Sequence, residues 1–379
     1  MRNVGLVVLC GLIAAAGVAG MSLGACSNFD ASVGPTGPDA ATSTPEASAD
    51  TGADANADGP PPVGGGTCTF DPSRIDVPGN ALDEDCSGAA DDEDLNCDDP
   101  LVLSSTDAFD AAKAIGLCRK TVVGSPSWGV IDARYVLPDG TPAPGAAVSS
   151  WGLLPSFGTN APHAGQRLLA LSSGNARAPD QPNYQAPGSG FNKGYSHALP
   201  SGFPSQLGAC SGLPLAAPHD GIALEVRLLV PSNAKSFSFS HQFFTTDYGD
   251  NVCQSFSDVY GVLLASKPAG SADGNVVLDP SGSVVSAAST AFIRACAPGM
   301  HGGLTFLCPM GGASLTGTGF ETHAATGWLK TTVPVAGGEE ITLRFAIWDS
   351  GDGAFDSTVL FDDFAFSTVA AAMVTTVAQ

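Results

Sequence analysis

Between Ile341 and Phe366 the chain reads ITLRFAIWDSGDGAFDSTVLFDDFAF, a pattern that only strands can use well. Ile341, Leu343, Phe345 and Ile347 alternate with Thr342, Arg344, Ala346 and Trp348. A period of two sends alternate side chains to opposite faces, so one apolar row is buried. Asp349, Gly351, Asp352, Gly353 and Asp356 then end the strand and turn the chain. Thr358–Phe366 reads as the return strand, with Leu360, Phe364 and Phe366 sharing a face with Asp362. An acid on an apolar row must be paired, hydrogen-bonded or metal-bound.

The same pattern recurs upstream. Short apolar runs separated by Gly, Pro, Asn and Asp clusters predict strands at Gly129–Val136, Arg167–Leu171, Ile222–Leu229, Ser236–Phe244, Val259–Leu264 and Thr326–Val333. One helix is predicted, Ser105–Leu117, capped by Ser105 or Thr106, with Gly116 near its stop. With 47 Gly, 28 Pro and 14% charged residues, the composition suits strands and turns better than a helical bundle. The expected class is all-β, a sandwich with one short helix.

Charge is placed unevenly. The net charge is −22, and residues 27–100 carry 17 Asp and Glu against one basic residue, Arg74. Phosphate binding needs Lys and Arg, so nucleic acid is not an expected partner. Residues 31–67 have no aromatic and no basic residue, and read as a disordered tether.

The chain opens with Arg2, an apolar run from Val4 to Ala19, and then Leu23-Gly24-Ala25-Cys26. An ordinary signal peptide or an uncleaved anchor competes for this pattern. It resembles the bacterial lipobox, which implies cleavage before Cys26, a lipid on that thiol, and export. Ser27 follows rather than Asp, which under the usual sorting rule favours the outer membrane or cell surface. The expected order is a signal segment at 1–25, the lipidated Cys26 and tether at 26–67, an acidic motif at 68–99, a sandwich at 100–367 and a tail at 368–379.

In an oxidising compartment the eight remaining cysteines read as disulfides. Cys296 and Cys308, flanking a glycine-rich loop, are the best candidate pair; a zinc site competes weakly, for no C-x-x-C pair is present.

The sharpest local signal is Asp83–Asp94. Asp83, Asp85, Ser87, Asp91 and Asp94 stand at loop positions 1, 3, 5, 9 and 12, with Gly88 at 6. That spacing lets a short loop wrap a hard cation, so calcium is the expected ion, with a solvated acidic linker as the competing reading. Asp71–Glu93, with PGNALDEDCSGAADDE at its centre, resembles the metal-binding motif near the N-terminus of many bacterial surface proteins. The resemblance implies a thrombospondin-type-3-like calcium loop held by cysteines. A second candidate cation set is Asp349, Asp352, Asp356 and Asp362, against which stands plain turn chemistry.

Several further pieces occur in order: LLALSSGNAR, NAKSFSFSHQFFTTDYGDNVCQSFSDVYGVLL, GTGFETHAATGWLKTTVPV and FAIWDSGDGAFDSTVLFDDF. Together they resemble the choice-of-anchor L family of bacterial exported proteins, over about Leu101–Ser367. Ser257 stands where that family usually has Asn, and Asp363 where Asn is usual. The resemblance implies a lectin-like, jelly-roll sandwich carried to the surface by varied anchors, and no characterised enzyme activity.

Catalytic patterns are weak. Gly208–Gly212 around Cys210 only superficially resembles a nucleophile elbow, since Pro204 and Pro214 flank it. The expected function is adhesion, or recognition of a glycan or envelope polymer, by a lipid-anchored, calcium-stabilised sandwich. Trp128, Trp151, Trp328 and Trp348 are candidate stacking surfaces, with core packing as the alternative for each. A polymer hydrolase using Asp258 or Glu321, or a purely structural envelope role, are the competing functions.

Overall fold

The computed structural model describes residues 68–93, 97–188, 190–204, 206–210, 212–265 and 274–379. The expected signal segment, Cys26, the expected tether and Asp94 lie outside the described residues. The principal strands are β1 (Gly129–Val136), β2 (Trp151–Leu154), β3 (Leu168–Ser172), β4 (Pro218–Leu229), β5 (Ser236–Thr245), β6 (Val259–Leu264), β7 (Ala324–Ala325), β8 (Leu329–Pro334), β9 (Glu340–Ser350), β10 (Ser357–Ser367) and β11 (Thr375–Ala378). One sheet runs β1-β4-β9-β6. The other runs β11-β8-β5-β10-β3-β2, with β7 also on β5. All these pairings are antiparallel, as expected of an all-β sandwich.

Alternation builds the core. Ile222, Leu224, Val226 and Leu228 from β4 and Ile341, Leu343, Phe345 and Ile347 from β9 face Phe237, Phe239, Val359 and Phe361 of the other sheet. Burying one such side chain contributes about 1.5–3 kcal/mol. His241 bridges the sheets from inside this core. One ring nitrogen is 2.8 Å from the Tyr260 hydroxyl on β6 and the other 2.8 Å from the Thr331 hydroxyl on β8.

The strands of the Ile341–Phe366 stretch do not pair with each other. β9 lies in one sheet and β10 in the other, so Gly351–Asp356 is a crossing between sheets. Nor does β10 keep one parity. A bulge between Asp362 and Ala365, with Asp363 at φ 53°, inserts an extra residue. Phe364 and Phe366 therefore join Val359 and Phe361 in the central core, whereas Leu360 packs on the outer face with Phe157 and Phe320.

The helix α1 (Ala108–Ala114) is shorter than predicted, and its cap is Asp107, whose side chain accepts from Phe109 N. The Ser105 hydroxyl donates instead to Asp110. Gly116, at φ 98°, ends the helix where an added Cβ would lie 3.1 Å from the Phe364 carbonyl oxygen.

The acidic N-terminal segment docks on the sandwich. Ile75 is buried in the central core, and Asn233 exchanges two hydrogen bonds with its backbone at 2.9 and 2.8 Å. The disulfides are Cys68–Cys86, Cys97–Cys118, Cys210–Cys253 and Cys296–Cys308. Cys210 is thus no thiol nucleophile. The tail supplies β11, an edge strand on β8. Among the described residues no helix is long and apolar enough to cross a membrane.

Candidate functional site

The acidic loop gathers part of its sequence-assigned set. Carboxylate oxygens of Asp83 and Asp85 converge with one from Asp76, all within 4.8 Å of one another. Asp83 also accepts from Ser87 N and Gly88 N, and Asp85 from Ser87 N. The Ser87 hydroxyl donates to Asp92 at 3.0 Å. Asp91 is directed elsewhere: its carboxylate accepts from Asn80 N and Ala81 N and closes the preceding turn. Asp76 was not singled out in the sequence because it lies before the loop, in Asp76-Val77-Pro78-Gly79. Burial raises the Asp85 carboxyl, and Glu93 beside it is pushed up to about 7 by burial although Arg119 stands 3.0 Å away.

A larger acidic cluster occupies one end of the sandwich. Two segments pass between sheets there: residues 246–258 carry the chain from β5 to β6, and residues 351–356 carry it from β9 to β10. Asp247 and Asp258 flank the first crossing, and Asp349 and Asp356 flank the second. All four are at most 1% exposed. Asp258 N donates to Asp247 Oδ2 at 2.6 Å. Asp258 in turn accepts from Ser350 N at 3.1 Å and from the Ser357 hydroxyl at 2.7 Å, so it ties one crossing to the other. Among the described residues, no N–H or O–H group donates to either oxygen of Asp349 or to Oδ1 of Asp356. Asp349 lies beside the Ser173 hydroxyl and the Asp258 carboxyl.

Asp220 from β4 and Lys193 complete the cluster. Asp220 accepts from Lys193 N at 2.6 Å and from Tyr195 N at 3.2 Å. The Lys193 ammonium donates to the Ser150 hydroxyl at 2.5 Å and to the Ser173 carbonyl. Burial pushes Asp247, Asp258, Asp349 and Asp356 above the usual carboxylate range, and pushes Lys193 down. The backbone closes tightly on Asp356. A Cβ on Gly174 would lie 2.1 Å from its carboxyl carbon.

The remaining members of the sequence-assigned second set stand apart. Asp352 is exposed and accepts from Ala354 N at 3.0 Å. Asp362 is buried and accepts from His163 N at 2.6 Å, Ala164 N at 3.4 Å and Asp363 N at 2.7 Å. It pins a loop to the bulge. Asp220 and Lys193 were missed in the sequence; a hint lies in His219-Asp220-Gly221, where Asp220 takes φ 50°.

Asp258, at 1% exposed, is out of reach of a polymer, and Glu321 accepts from Gly317 N and Gly319 N. Trp128, Trp151 and Trp348 are buried, and Trp328 is half-buried with its ring 4.1 Å from that of His163. One tryptophan still edges a cavity. A shallow hollow of about 520 Å³ is lined by Thr106, Asp107, Arg134, Tyr135 and Trp151, among others. Tyr135 stacks on Trp151 at 4.1 Å, and its buried hydroxyl has no hydrogen-bond partner among the described residues.

The family model described as Choice-of-anchor L domain matches residues 169–367. The chain belongs to the choice-of-anchor L domain family. The matched region runs from β3 to the end of β10 and so includes both crossings with their acids. Helix α1, β1, β2 and the acidic loop precede it. No curated protein matches this choice-of-anchor L chain. Among solved structures it is similar to two adhesin domains of Lys-gingipain from Porphyromonas gingivalis. The K1 domain is 12% identical, with 64% of this chain and 94% of that one covered, at a TM-score of 0.26. The K3 domain is 13% identical, with 62% and 91% covered, at a TM-score of 0.24. Those scores are too low to carry either topology or function across.

Proposed function

We propose that this choice-of-anchor L protein is a lipid-anchored, surface-displayed recognition module whose sandwich adheres to an extracellular glycan or envelope polymer. The observation that carries the reading is the Tyr135–Trp151 hollow. It has a stacked aromatic pair in its wall, with Arg134 and Asp107 also among its lining residues. A sugar ring presents an apolar face edged by hydroxyls. A hollow lined by both aromatic and polar groups suits such a ligand.

Calcium enters this reading as a structural ion in the acidic loop. Asp76, Asp83 and Asp85 supply oxygen donors there, and the Cys68–Cys86 disulfide braces it. The lipid on Cys26 fixes the chain to the outer membrane or cell surface. Replacing Cys26 by Ser should leave the product uncleaved or soluble; normal processing with unchanged membrane fractionation would contradict the anchor.

The test of recognition is a glycan array probed with the purified chain, with and without calcium, beside Tyr135→Ala. Binding that Tyr135→Ala loses is the expected result. No binding by the wild type in either condition would sink the claim.

A further inference from the structure

The two crossings at the end of the sandwich present an electrostatic problem. Asp220, Asp247, Asp258, Asp349 and Asp356 are all buried, and the cation that faces them is Lys193. His219, opposite Asp349 in the β4–β9 pairing, and His197, beside Asp220, are further basic side chains at this end. Lys193 hydrogen-bonds to Ser150 and Ser173, and its single positive charge is outnumbered by the acids it faces. A buried carboxylate without a partner costs several kcal/mol; Asp220, Asp247 and Asp258 accept hydrogen bonds, so Asp349 and Asp356 are the acids that must hold a proton or face a cation.

The hydrogen-bond pattern singles out Asp349 and Asp356. A protonated carboxyl is a donor and would be turned toward an acceptor. A proton shared between Asp349 and the neighbouring Asp258 would answer that pair alone, and among the described residues no N–H or O–H group donates to either oxygen of Asp349, which is 0% exposed. Oδ1 of Asp356 is likewise unpartnered. The orphan atoms of these two residues are all oxygens, the donor type that hard cations take.

We infer that one hard divalent cation of the calcium class binds between Asp349 and Asp356, with Asp258 and Asp247 behind them, and pins the two crossings together. Asp349 ends a strand of one sheet and Asp356 precedes a strand of the other. A cation shared by them ties the sheets at the end where the chain passes between them. The site is separate from the acidic loop and does not depend on the recognition reading.

The experiment is thermal unfolding of the full chain at pH 7.5, in chelator and in millimolar calcium, in an Asp83→Ala/Asp85→Ala background that disables the loop. A calcium-dependent rise in Tm should persist in that background. It should be lost when Asp349→Asn and Asp356→Asn are added, and kept with Asp352→Asn, an exposed acid of the same crossing. Circular dichroism in chelator checks that each variant folds. No rise in the loop-disabled background would overturn the inference, whatever the further variants do. So would a rise that survives Asp349→Asn/Asp356→Asn, since calcium would then be bound elsewhere.

Discussion

Asp362 is where metal ligation and hydrogen bonding make opposite forecasts. In the sequence it belongs with Asp349, Asp352 and Asp356; in the structure its carboxylate accepts from three backbone N–H groups, of His163, Ala164 and Asp363. At pH 8, where its carboxyl is mostly ionised, Asp362→Ala removes two short bonds to a charged acceptor and one long one. His163 is exposed, so water replaces part of what is lost. A hydrogen bond to a charged group contributes about 1.5–3 kcal/mol net, and with water taking over at His163 the expected loss is about 2–3 kcal/mol. Urea unfolding in chelator reads it. The increment that calcium adds to stability should be the same in wild type and variant. A variant as stable as wild type in chelator but without the calcium increment would refute this and return Asp362 to the metal set.

The same residue has a pH signature. Burial pushes its carboxyl up to about 7 in the folded chain. A raised folded value means stability that is present at low pH and is lost as pH rises through about 7. The stability difference between wild type and Asp362→Asn, which does not titrate, should therefore move in favour of wild type as pH falls from 8 to 5. A difference independent of pH would contradict the assignment.

Three further outcomes follow from the packing. Glu225, almost buried on the outer face of the four-stranded sheet, accepts from both Arg134 and Arg344; burial works to raise its carboxyl, but the two guanidiniums outweigh that and hold it low. The Arg134 side chain is 62% exposed and that of Arg344 22%, so urea unfolding should show Arg344→Ala costing about 1–3 kcal/mol and Arg134→Ala under about 1; the reverse order would be wrong for this arrangement. His241 is held neutral by burial, its folded value depressed to about 3, so the unfolded chain takes up its proton first and acid destabilises the fold. Between pH 6.5 and 5 wild type should lose up to about 2 kcal/mol relative to His241→Leu, read by urea midpoints at both pH values, and equal slopes would exclude it. Gly174→Ala drives a Cβ into Asp356 and should cost about 1–3 kcal/mol or more, whereas Gly145→Ala, whose Cβ meets nothing within 4 Å, should stay within about 0.5.

How much of this was legible in the sequence depended on distance along the chain. The period of two located most strands because it acts over adjacent residues. It could not show that β9 and β10 lie in different sheets, since partners are chosen by residues far away: β9 pairs with β4 and β6, β10 with β5 and β3. The bulge at Asp362 reversed the parity of Phe364 and Phe366 because one extra residue leaves composition unchanged. Ser105, Thr106 and Asp107 can all cap a helix, and only the settled backbone chose Asp107. At the crossings, Asp349 and Asp356 were visible as an acidic turn. Asp220 and Lys193 were not, because the fold brings them in from more than 100 residues upstream of Asp349. In the acidic loop the spacing drew attention to Asp83 and Asp85, but Asp91 is taken by a local turn and Asp76 stands in the cluster.

The most direct test of the account is the amount of calcium bound by the intact purified chain, measured by equilibrium dialysis and atomic emission at neutral pH. Two ions per chain are predicted, one at Asp76, Asp83 and Asp85 and one at Asp349 and Asp356, with Asp83→Ala/Asp85→Ala removing the first and Asp349→Asn/Asp356→Asn the second. A wild-type chain that holds no calcium would contradict both sites at once.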